Sequence, residues 1–275
     1  MLDQLRTLIV QLRFHGMEAA LDGEIARAER DGVPALELLY RMLSQEAASK
    51  RQRSLAYRLA QAQMPWDWSL ESFPFDHQPG VDKGQIHTLA GLGFLRRNDN
   101  LLLIGPPGTG KTGIALALLR QACVNGYRGR FYNAQALLDE LYASLADRSS
   151  LQLLRRLCRF QPLLIDELSY LTLKPEQTDM FFRLIDQRYS RTSTIITSNL
   201  DLPQWYDLFH SKPLVDALLD RLQHHCVTIR INGPSLRGPM PAVATPPPRT
   251  PRRIEPTGRP SDVDEGSKRK PRPAK

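Results

Sequence analysis

The residues with the clearest chemistry form the run Gly105-Pro-Pro-Gly-Thr-Gly-Lys-Thr112, which directly follows the apolar stretch Leu101–Ile104. The run matches the phosphate-loop pattern G-x-x-x-x-G-K-[ST]. Its glycines allow backbone N–H groups to surround phosphates, Lys111 can reach the β- and γ-phosphates, and the Thr112 hydroxyl can ligate Mg²⁺. The alternative is a chance glycine-rich turn between a strand and a helix. The predicted cofactor-binding residues are Gly105, Pro106, Pro107, Gly108, Thr109, Gly110, Lys111, Thr112 and Gly113.

Two carboxylates follow a second apolar run, in the order Leu163-Leu-Ile-Asp166-Glu167. At the carboxyl end of a buried strand beside a phosphate loop, Asp166 can hold the metal of a magnesium nucleotide. Glu167 can act as the general base that activates water, which points to hydrolysis rather than passive binding. The alternative is a strand that is simply capped by two acidic residues.

Two further polar residues are candidates for the same reaction. Asn199, or next Ser198, ends a third apolar run and could orient the attacking water or the γ-phosphate, although an asparagine there could simply turn the chain. Arg221 could stabilise the charge of phosphoryl transfer from a neighbouring subunit. An ion pair of Arg221 with Asp216 or Asp220 on the helix surface is the simpler interpretation.

The elements that must position these residues alternate between strand and helix from residue 100 onward, which predicts a parallel sheet covered on both faces. We expect a five-stranded, doubly wound α/β domain. The predicted strands are Leu101–Ile104, Gly129–Asn133, Pro162–Ile165, Ser193–Ser198 and Cys226–Ile231. The predicted helices are Lys111–Asn125, Ala134–Ala146, Leu151–Phe160, Glu176–Tyr189 and Leu214–Gln223.

A helical module is predicted before this domain, over residues 1–64. Residues 2–30 have a helical apolar pattern with a break near Gly16, and a long helix follows from Ala35 to Gln63. The second half of the long helix is basic and could contact DNA phosphates, or could be an ordinary solvated face. Its candidate DNA-binding residues are Lys50, Arg51, Arg53 and Arg58.

Residues 65–99 connect the module to the domain, which spans 100–232. Their aromatic residues favour packing of an irregular connector on the domain, with stacking on nucleic-acid bases as the alternative. Residues 233–275 contain eleven of the 21 prolines and no aromatic residue, which predicts a disordered tail. The tail has ten lysines and arginines against four acidic residues and therefore carries most of the net charge of +8. It could be a nucleic-acid-binding arm or have no function.

The composition excludes other classes of protein. An apolar content of 41% allows a hydrophobic core, while no apolar run is long enough to span a membrane, so we expect a soluble, cytoplasmic protein. The three cysteines are far apart and lack the spacing of a zinc site or of a disulfide framework.

Several motifs together resemble the IstB family, the AAA+ helper ATPases encoded beside insertion-sequence transposases and related to the helicase loader DnaC. The resemblance extends over residues 1–237. The motifs are the Gly105–Thr112 loop, Leu164–Leu171, Arg188-Tyr189, Thr194–Asn199, Asp220–His225, Leu12–Met17 and Gly233–Arg237.

The resemblance implies an ATPase that uses ATP and Mg²⁺, assembles as a homo-oligomeric ring or helical filament on duplex DNA, and recruits or stimulates a transposase. By position, Asn199 is the sensor residue and Arg221 the intersubunit arginine, with Arg188 a second arginine near the interface. Gly113 departs from the side chain common in the family, and no lid bundle or lid arginine is expected after the last strand. A helicase loader is the close alternative. A small-molecule kinase and an ATP-gated adaptor are less consistent with Glu167 and with an intact Lys111.

Overall fold

The computed structural model describes residues 1–169, 171, 173–209 and 211–237. Among the described residues, five α-helices precede the first strand of a sheet and five more lie between its strands. The helices are α1 (Leu2–Gln11), α2 (His15–Asp31), α3 (Ala35–Ala62), α4 (Lys83–Ala90), α5 (Gly93–Arg97), α6 (Lys111–Val124), α7 (Ala134–Ala146), α8 (Ser150–Leu157), α9 (Pro175–Arg188) and α10 (Lys212–His224). The strands are β1 (Asn100–Ile104), β2 (Arg130–Asn133), β3 (Leu163–Asp166), β4 (Thr194–Ser198) and β5 (Cys226–Arg230).

The five strands form one parallel sheet in the order β2-β3-β4-β1-β5. Because the strands are parallel, their carboxyl ends meet at one edge, where ligands bind in open α/β sheets. The phosphate loop leaves β1 at this edge, between the segments that leave β4 and β5. The predicted five-stranded α/β fold is confirmed, with each strand starting and ending within one residue of its predicted limits.

Alternate side chains of the strands enter two separate cores. Leu102 and Ile104 pack with α7, α8, α9 and α10 on one face, and Leu101 and Leu103 pack with α4, α5 and α6 on the other. Such continuous apolar strands are typical of a parallel sheet buried on both faces. The sheet is therefore a fixed support for the loops at its carboxyl edge.

The first three helices pack around a small core of Ile9, Leu21 and Met42. α2 begins at His15, so the predicted helix break lies at residues 12–14 rather than near Gly16. Gly16 belongs to the first turn of α2, where α3 crosses so closely that a Cβ atom would lie 2.5 Å from the Gln45 carbonyl oxygen.

The buried Glu46 carboxylate of α3 caps the start of α2. Glu46 Oε2 accepts hydrogen bonds from the backbone N–H groups of Gly16, at 2.7 Å, and Met17, at 3.3 Å. Burial acts to raise the pKa of Glu46, but these amides and the Arg53 and Lys50 charges outweigh burial and lower it. The contact joins α2 and α3 through the helix N-terminus, where a carboxylate is favourable.

α3 also reaches the sheet domain. The Arg58 guanidinium donates from Nε to the Cys123 carbonyl oxygen near the end of α6, at 2.8 Å. Arg130 Nη1 donates to the Gln61 carbonyl oxygen at 2.9 Å. These contacts connect the N-terminal helices to the domain through the last turns of α3.

The connector after α3 contains two helices, α4 and α5, that the sequence analysis did not predict. Asp82 accepts a hydrogen bond from the Gln85 N–H and caps α4, while Leu92 and Asn98 flank α5 in the left-handed conformation. Within the described part of the chain, no helix is both long and apolar enough to cross a membrane. The predicted tail lies outside the described residues from position 238 onward.

Candidate functional site

The phosphate loop has the backbone shape that its glycines allow. Gly108 and Gly110 have φ angles of +82° and +90°, which residues with a side chain rarely adopt. α6 begins immediately afterwards, at Lys111, so its first N–H groups and partial positive charge face the loop. The loop therefore combines the features of an anion-binding helix N-terminus.

Lys111 is 7% exposed and bonds to the loop itself. Its Nζ donates to the carbonyl oxygens of Gly105 and Pro106, both at 2.8 Å. Burial, aided by the charge of Arg237, lowers the pKa of Lys111 to about 8 despite the nearby carboxylates of Asp166 and Glu167. A phosphate group would offer this desolvated ammonium the negative charge that the two carbonyl groups lack.

Asp166, at the end of β3, is held by two hydroxyl groups. Thr112 Oγ1 donates to Asp166 Oδ1 at 2.8 Å, and Thr197 Oγ1 of β4 donates to the same oxygen at 2.6 Å. Burial is the main influence on this carboxyl and raises its pKa, against the effect of both hydroxyl donors. The structure thus brings together Thr112 and Asp166, the two predicted metal ligands.

Glu167 follows Asp166 and is exposed at the carboxyl edge. Its φ angle is +61°, and its backbone N–H donates to Thr197 Oγ1 at 2.9 Å. Asn199 follows β4, and its N–H donates to Ser169 Oγ at 2.8 Å. Glu167 and Asn199 line one cavity of 150 Å³ with Lys111 and Thr112 of the phosphate loop.

Three residues of the site were not among the predicted ones. The Thr197 hydroxyl, on the neighbouring strand β4, donates to the Asp166 carboxylate and accepts from the Glu167 backbone N–H. Arg237, which the sequence analysis assigned to the tail, lines the 150 Å³ cavity. The buried Gln78 side chain of the connector donates to the Thr109 carbonyl oxygen. No motif included Gln78, and the Gly233–Arg237 motif of the resemblance gave Arg237 no role, because only the fold brings these residues to the loop.

Gly113 contacts the connector instead of the cavity. A Cβ atom there would be 3.5 Å from the Trp68 ring and 3.6 Å from the Phe73 ring. These are ordinary van der Waals distances, so a Cβ atom would fit at this position against the aromatic rings of the connector. The buried Phe73 also packs on Gly110, so here the aromatic connector is packed on the domain as predicted.

The two arginines of the resemblance lie outside the cavity of this chain. Arg221 Nε donates to Asp186 Oδ1 at 2.6 Å, and its guanidinium lies over the Phe182 ring. The expected pair with Asp216 or Asp220 is therefore replaced by a pair with α9.

Arg188 is 1% exposed and cannot face a neighbouring subunit, so the interpretation of an interface arginine is wrong. Burial lowers its pKa to about 10. Its guanidinium is surrounded by four acceptors near the amino ends of the strands. They are the carbonyl oxygens of Leu157, Phe160 and Ser193 and the Thr194 hydroxyl.

The four basic candidates on α3 differ in their surroundings. Lys50, Arg51 and Arg58 line a groove of 750 Å³ between α3 and the end of α6, whereas Arg53 pairs with Glu46. Lys50 lies 3.9 Å from the same carboxylate, and Arg58 is bonded to α6. Among the contacts of the described residues, Arg51 has no ion pair and is the most available of the four.

Comparison with known proteins places the chain in a family. A family model of IstB-like ATP binding proteins matches residues 7–240. A protein of Pseudomonas aeruginosa named as an ATP-binding protein of insertion sequence IS21 is 36% identical over 85% of this chain and 88% of its own length. One from Geobacillus stearothermophilus, named for insertion sequence IS5376, is 33% identical over 73% of this chain and 80% of its own length.

Solved structures share the fold. The DnaC helicase loader superposes with a TM-score of 0.52 at 23% identity, covering 62% of this chain and 99% of the loader. AMPPCP-bound DnaA from Aquifex aeolicus gives a TM-score of 0.51 at 21% identity, covering 62% of this chain and 51% of that protein. The chain belongs to the IstB-like ATP-binding protein family and is an ATPase with the AAA+ fold.

Proposed function

We propose that this chain is an ATP- and DNA-dependent helper of transposition. It binds ATP with Mg²⁺, assembles as a homo-oligomer on duplex DNA, hydrolyses ATP, and recruits or stimulates a partner transposase. The supporting observation is that Lys111, Glu167 and Asn199 line one cavity, in a chain whose relatives are named for insertion sequences.

The residues of the cavity have distinct roles in this proposal. The loop amides and Lys111 bind the phosphates, and Glu167 takes a proton from the attacking water, which Asn199 orients. Thr112 and Asp166 fit Mg²⁺ because they place a hydroxyl and a carboxylate oxygen 2.8 Å apart beside the phosphate loop. Mg²⁺ bound there would neutralise phosphate charge, and Thr197 would keep the Asp166 carboxylate in place.

Arg221 acts on the nucleotide of a neighbouring subunit in this proposal. Within one chain its guanidinium is paired with Asp186 on the surface formed by α9 and α10, where a second subunit can dock. An arginine supplied in this way accelerates phosphoryl transfer by about 10³–10⁵. Assembly would then control the rate of ATP hydrolysis.

A mixing experiment tests the shared site. Arg221→Ala and Lys111→Ala proteins should each be almost inactive, whereas their mixture should recover part of the ATPase activity. Recovery is expected because an intact phosphate loop of one subunit can meet Arg221 of the other. Absence of recovery in mixtures that exchange subunits, with turnover independent of protein concentration, would contradict an intersubunit role.

The DNA-binding role is assigned to the helical module of residues 1–64, connected through residues 65–99 to the ATPase domain of residues 100–232. Lys50 and Arg51 lie on the exposed side of α3, where they can meet phosphates without breaking the Arg58 contact to α6. The family match begins at residue 7 and includes this module. That match favours transposition over helicase loading, since the relatives in this family are named for insertion sequences.

Salt dependence tests the DNA contacts. Each phosphate contact contributes about 0.9 to the slope of log affinity against log salt concentration. Replacing both Lys50 and Arg51 by alanine should reduce this slope by about 2 and weaken binding to unrelated duplexes alike. Arg27→Ala is the matched control, because Arg27 is an exposed arginine of α2 paired with Asp31. An unchanged slope in the double variant would refute the assignment.

A further inference from the structure

Two serine hydroxyl groups lie between the segments that carry Glu167 and Asn199. Ser169 follows Glu167 by two residues, and Ser198 directly precedes Asn199. Both serines are buried, and their Oγ atoms lie 3.3 Å apart. The pair therefore connects the segment after β3 to the end of β4, at the edge of the sheet where the nucleotide cavity lies.

The direction of these hydrogen bonds follows from the single hydrogen on each hydroxyl group. Ser198 Oγ donates its hydrogen to the Leu168 carbonyl oxygen at 2.7 Å. Since a hydroxyl group has one donor and two acceptor positions, Ser198 Oγ must accept from Ser169. It also accepts from the Leu200 N–H at 3.1 Å. All the hydrogen-bonding positions of Ser198 are thus occupied.

The bonds form one directed chain between the two sides of the cavity. The Asn199 N–H donates to Ser169 Oγ at 2.8 Å. The chain then passes through the hydroxyl groups of Ser169 and Ser198 and ends at the carbonyl group of Leu168, the residue after Glu167. Because hydrogen bonds in such a chain polarise one another, the loss of one hydroxyl group weakens the bonds that remain.

Ser169 also supports the backbone conformation of Glu167. The Ser169 N–H donates to the Glu167 carbonyl oxygen at 2.8 Å and closes a three-residue turn. Glu167 has a φ angle of +61°, which is unfavourable for a residue with a side chain and persists where the surrounding structure holds it. Ser169 is therefore bonded to the backbone of both residues, through its amide to Glu167 and through its hydroxyl group to Asn199.

Asn199 is the more mobile of these contacts once the hydroxyl group is removed. Asn199 is half-buried, so its backbone N–H can turn to water when Ser169 no longer accepts from it. A rotation of the backbone there displaces the side-chain amide that lines the cavity. The Ser169 hydroxyl group therefore fixes the direction of the Asn199 side chain.

We propose that Ser169 is a positioning residue for ATP hydrolysis, whose hydroxyl group holds Asn199 in place relative to Glu167. The basis is that Ser169 is bonded to both residues and that both line the nucleotide cavity. This inference rests on the roles of Glu167 and Asn199 in the proposed function. It adds a residue that acts from behind the cavity lining, through the two residues that form it.

A difference between turnover and binding tests this role. Phosphate release at saturating ATP and Mg²⁺ gives the turnover, and titration with a fluorescent ATP analogue gives the affinity. Ser169→Ala should reduce turnover by about 5- to 30-fold, the effect of losing two neutral hydrogen bonds, and change the affinity by less than about threefold. Ser144→Ala is the matched control and should keep wild-type turnover. The buried Ser144 hydroxyl group bonds to Leu141 and Ser150, outside the nucleotide cavity.

Ser169→Cys repeats the test with the space of the side chain filled. A thiol is a weak hydrogen-bonding group, so turnover should fall nearly as far as in the alanine protein. Wild-type turnover in the cysteine or the alanine protein would show that packing alone holds Asn199, and would overturn the proposal. Equal losses of turnover and affinity would show a general defect of the sheet edge and would overturn it as well.

A double-mutant cycle identifies the residue through which Ser169 acts. Asn199→Ala removes the side-chain amide but keeps the backbone N–H that bonds to Ser169. In that background, Ser169→Ala should reduce turnover by less than about a further twofold. If it instead causes the full loss seen in the single variant, Ser169 acts elsewhere and the proposal is wrong. Wild-type turnover in Asn199→Ala alone would show that the proposed role of Asn199 is wrong, and this inference would fail with it.

Discussion

Replacing Thr197 by valine tests how the two carboxylates are held. Thr197 is fully buried, and its hydroxyl donates to Asp166 and accepts from the N–H of Glu167. Valine has the same shape without the hydroxyl group. The substitution therefore removes both hydrogen bonds while the packing of β4 against β3 is kept.

The expected size of the effect follows from these two bonds. A hydrogen bond to a charged group contributes about 1.5–3 kcal/mol, and the Glu167 N–H also loses its acceptor. If the loss of these bonds raises the activation free energy of ATP hydrolysis by about 1.5–3 kcal/mol, ATP turnover falls by about 10- to 150-fold. Nucleotide affinity should change by less than about threefold, because the phosphate loop and Lys111 are untouched.

Steady-state phosphate release at saturating ATP and Mg²⁺ measures the turnover, and titration with a fluorescent ATP analogue measures the affinity. Thr197→Ser is the matched control, since serine keeps the hydroxyl and should retain most of the activity. The reasoning is refuted if the valine protein turns over ATP within about twofold of the serine protein. Loss of nucleotide binding in the valine protein would instead point to a general defect of the sheet edge.

Three further predictions address other parts of the molecule. Glu167→Gln should bind the ATP analogue with wild-type affinity while phosphate release falls by about 10²–10⁴, since only the general base is removed; equal loss of binding would contradict this role. Arg188→Met should lower the free energy of unfolding in urea by about 3–5 kcal/mol, because its buried acceptors lose their donor, and should leave ATP affinity unchanged in the folded protein. The lowered pKa of Glu46 stabilises the cap of α2 at pH values above the usual glutamate pKa, and this stabilisation is lost as the pH falls through the lowered value. The protection of the two capped amides against hydrogen exchange, taken relative to an unfolded chain at the same pH, should therefore fall on acidification in the wild type, and a Glu46→Gln protein that shows the same loss of protection would disprove the link.

Local patterns predicted the sheet and the residues at its edge well. The apolar runs that become β1, β3 and β4 are short, continuous and followed by polar residues. Because parallel strands end at one edge, the motifs around Lys111, Asp166 and Asn199 predicted a common site without knowledge of the helices. The side chains of that site therefore follow from chain order and strand direction.

The parts that could not be predicted depend on contacts between distant segments. α4 and α5 are only eight and five residues long, so their patterns are weak. The start of α2 depends on Glu46, thirty residues beyond Gly16. Arg237 ends the Gly233–Arg237 motif of the resemblance and belongs by composition to a basic, proline-rich segment, and only the folded chain shows that it lines the nucleotide cavity. Arg188 is the opposite case, because the family resemblance implied a position near a subunit interface and the fold buries its side chain.

We propose that ATP binding drives assembly of this chain on duplex DNA. Electron micrographs of the Glu167→Gln protein with ATP and a long duplex test it most directly, because this variant should hold the ATP-bound state. We predict continuous filaments or rings on the DNA with ATP, and none with ADP or in a Lys111→Ala protein. Single, separate molecules on the DNA in the presence of ATP, or the same assemblies without nucleotide, would contradict the account.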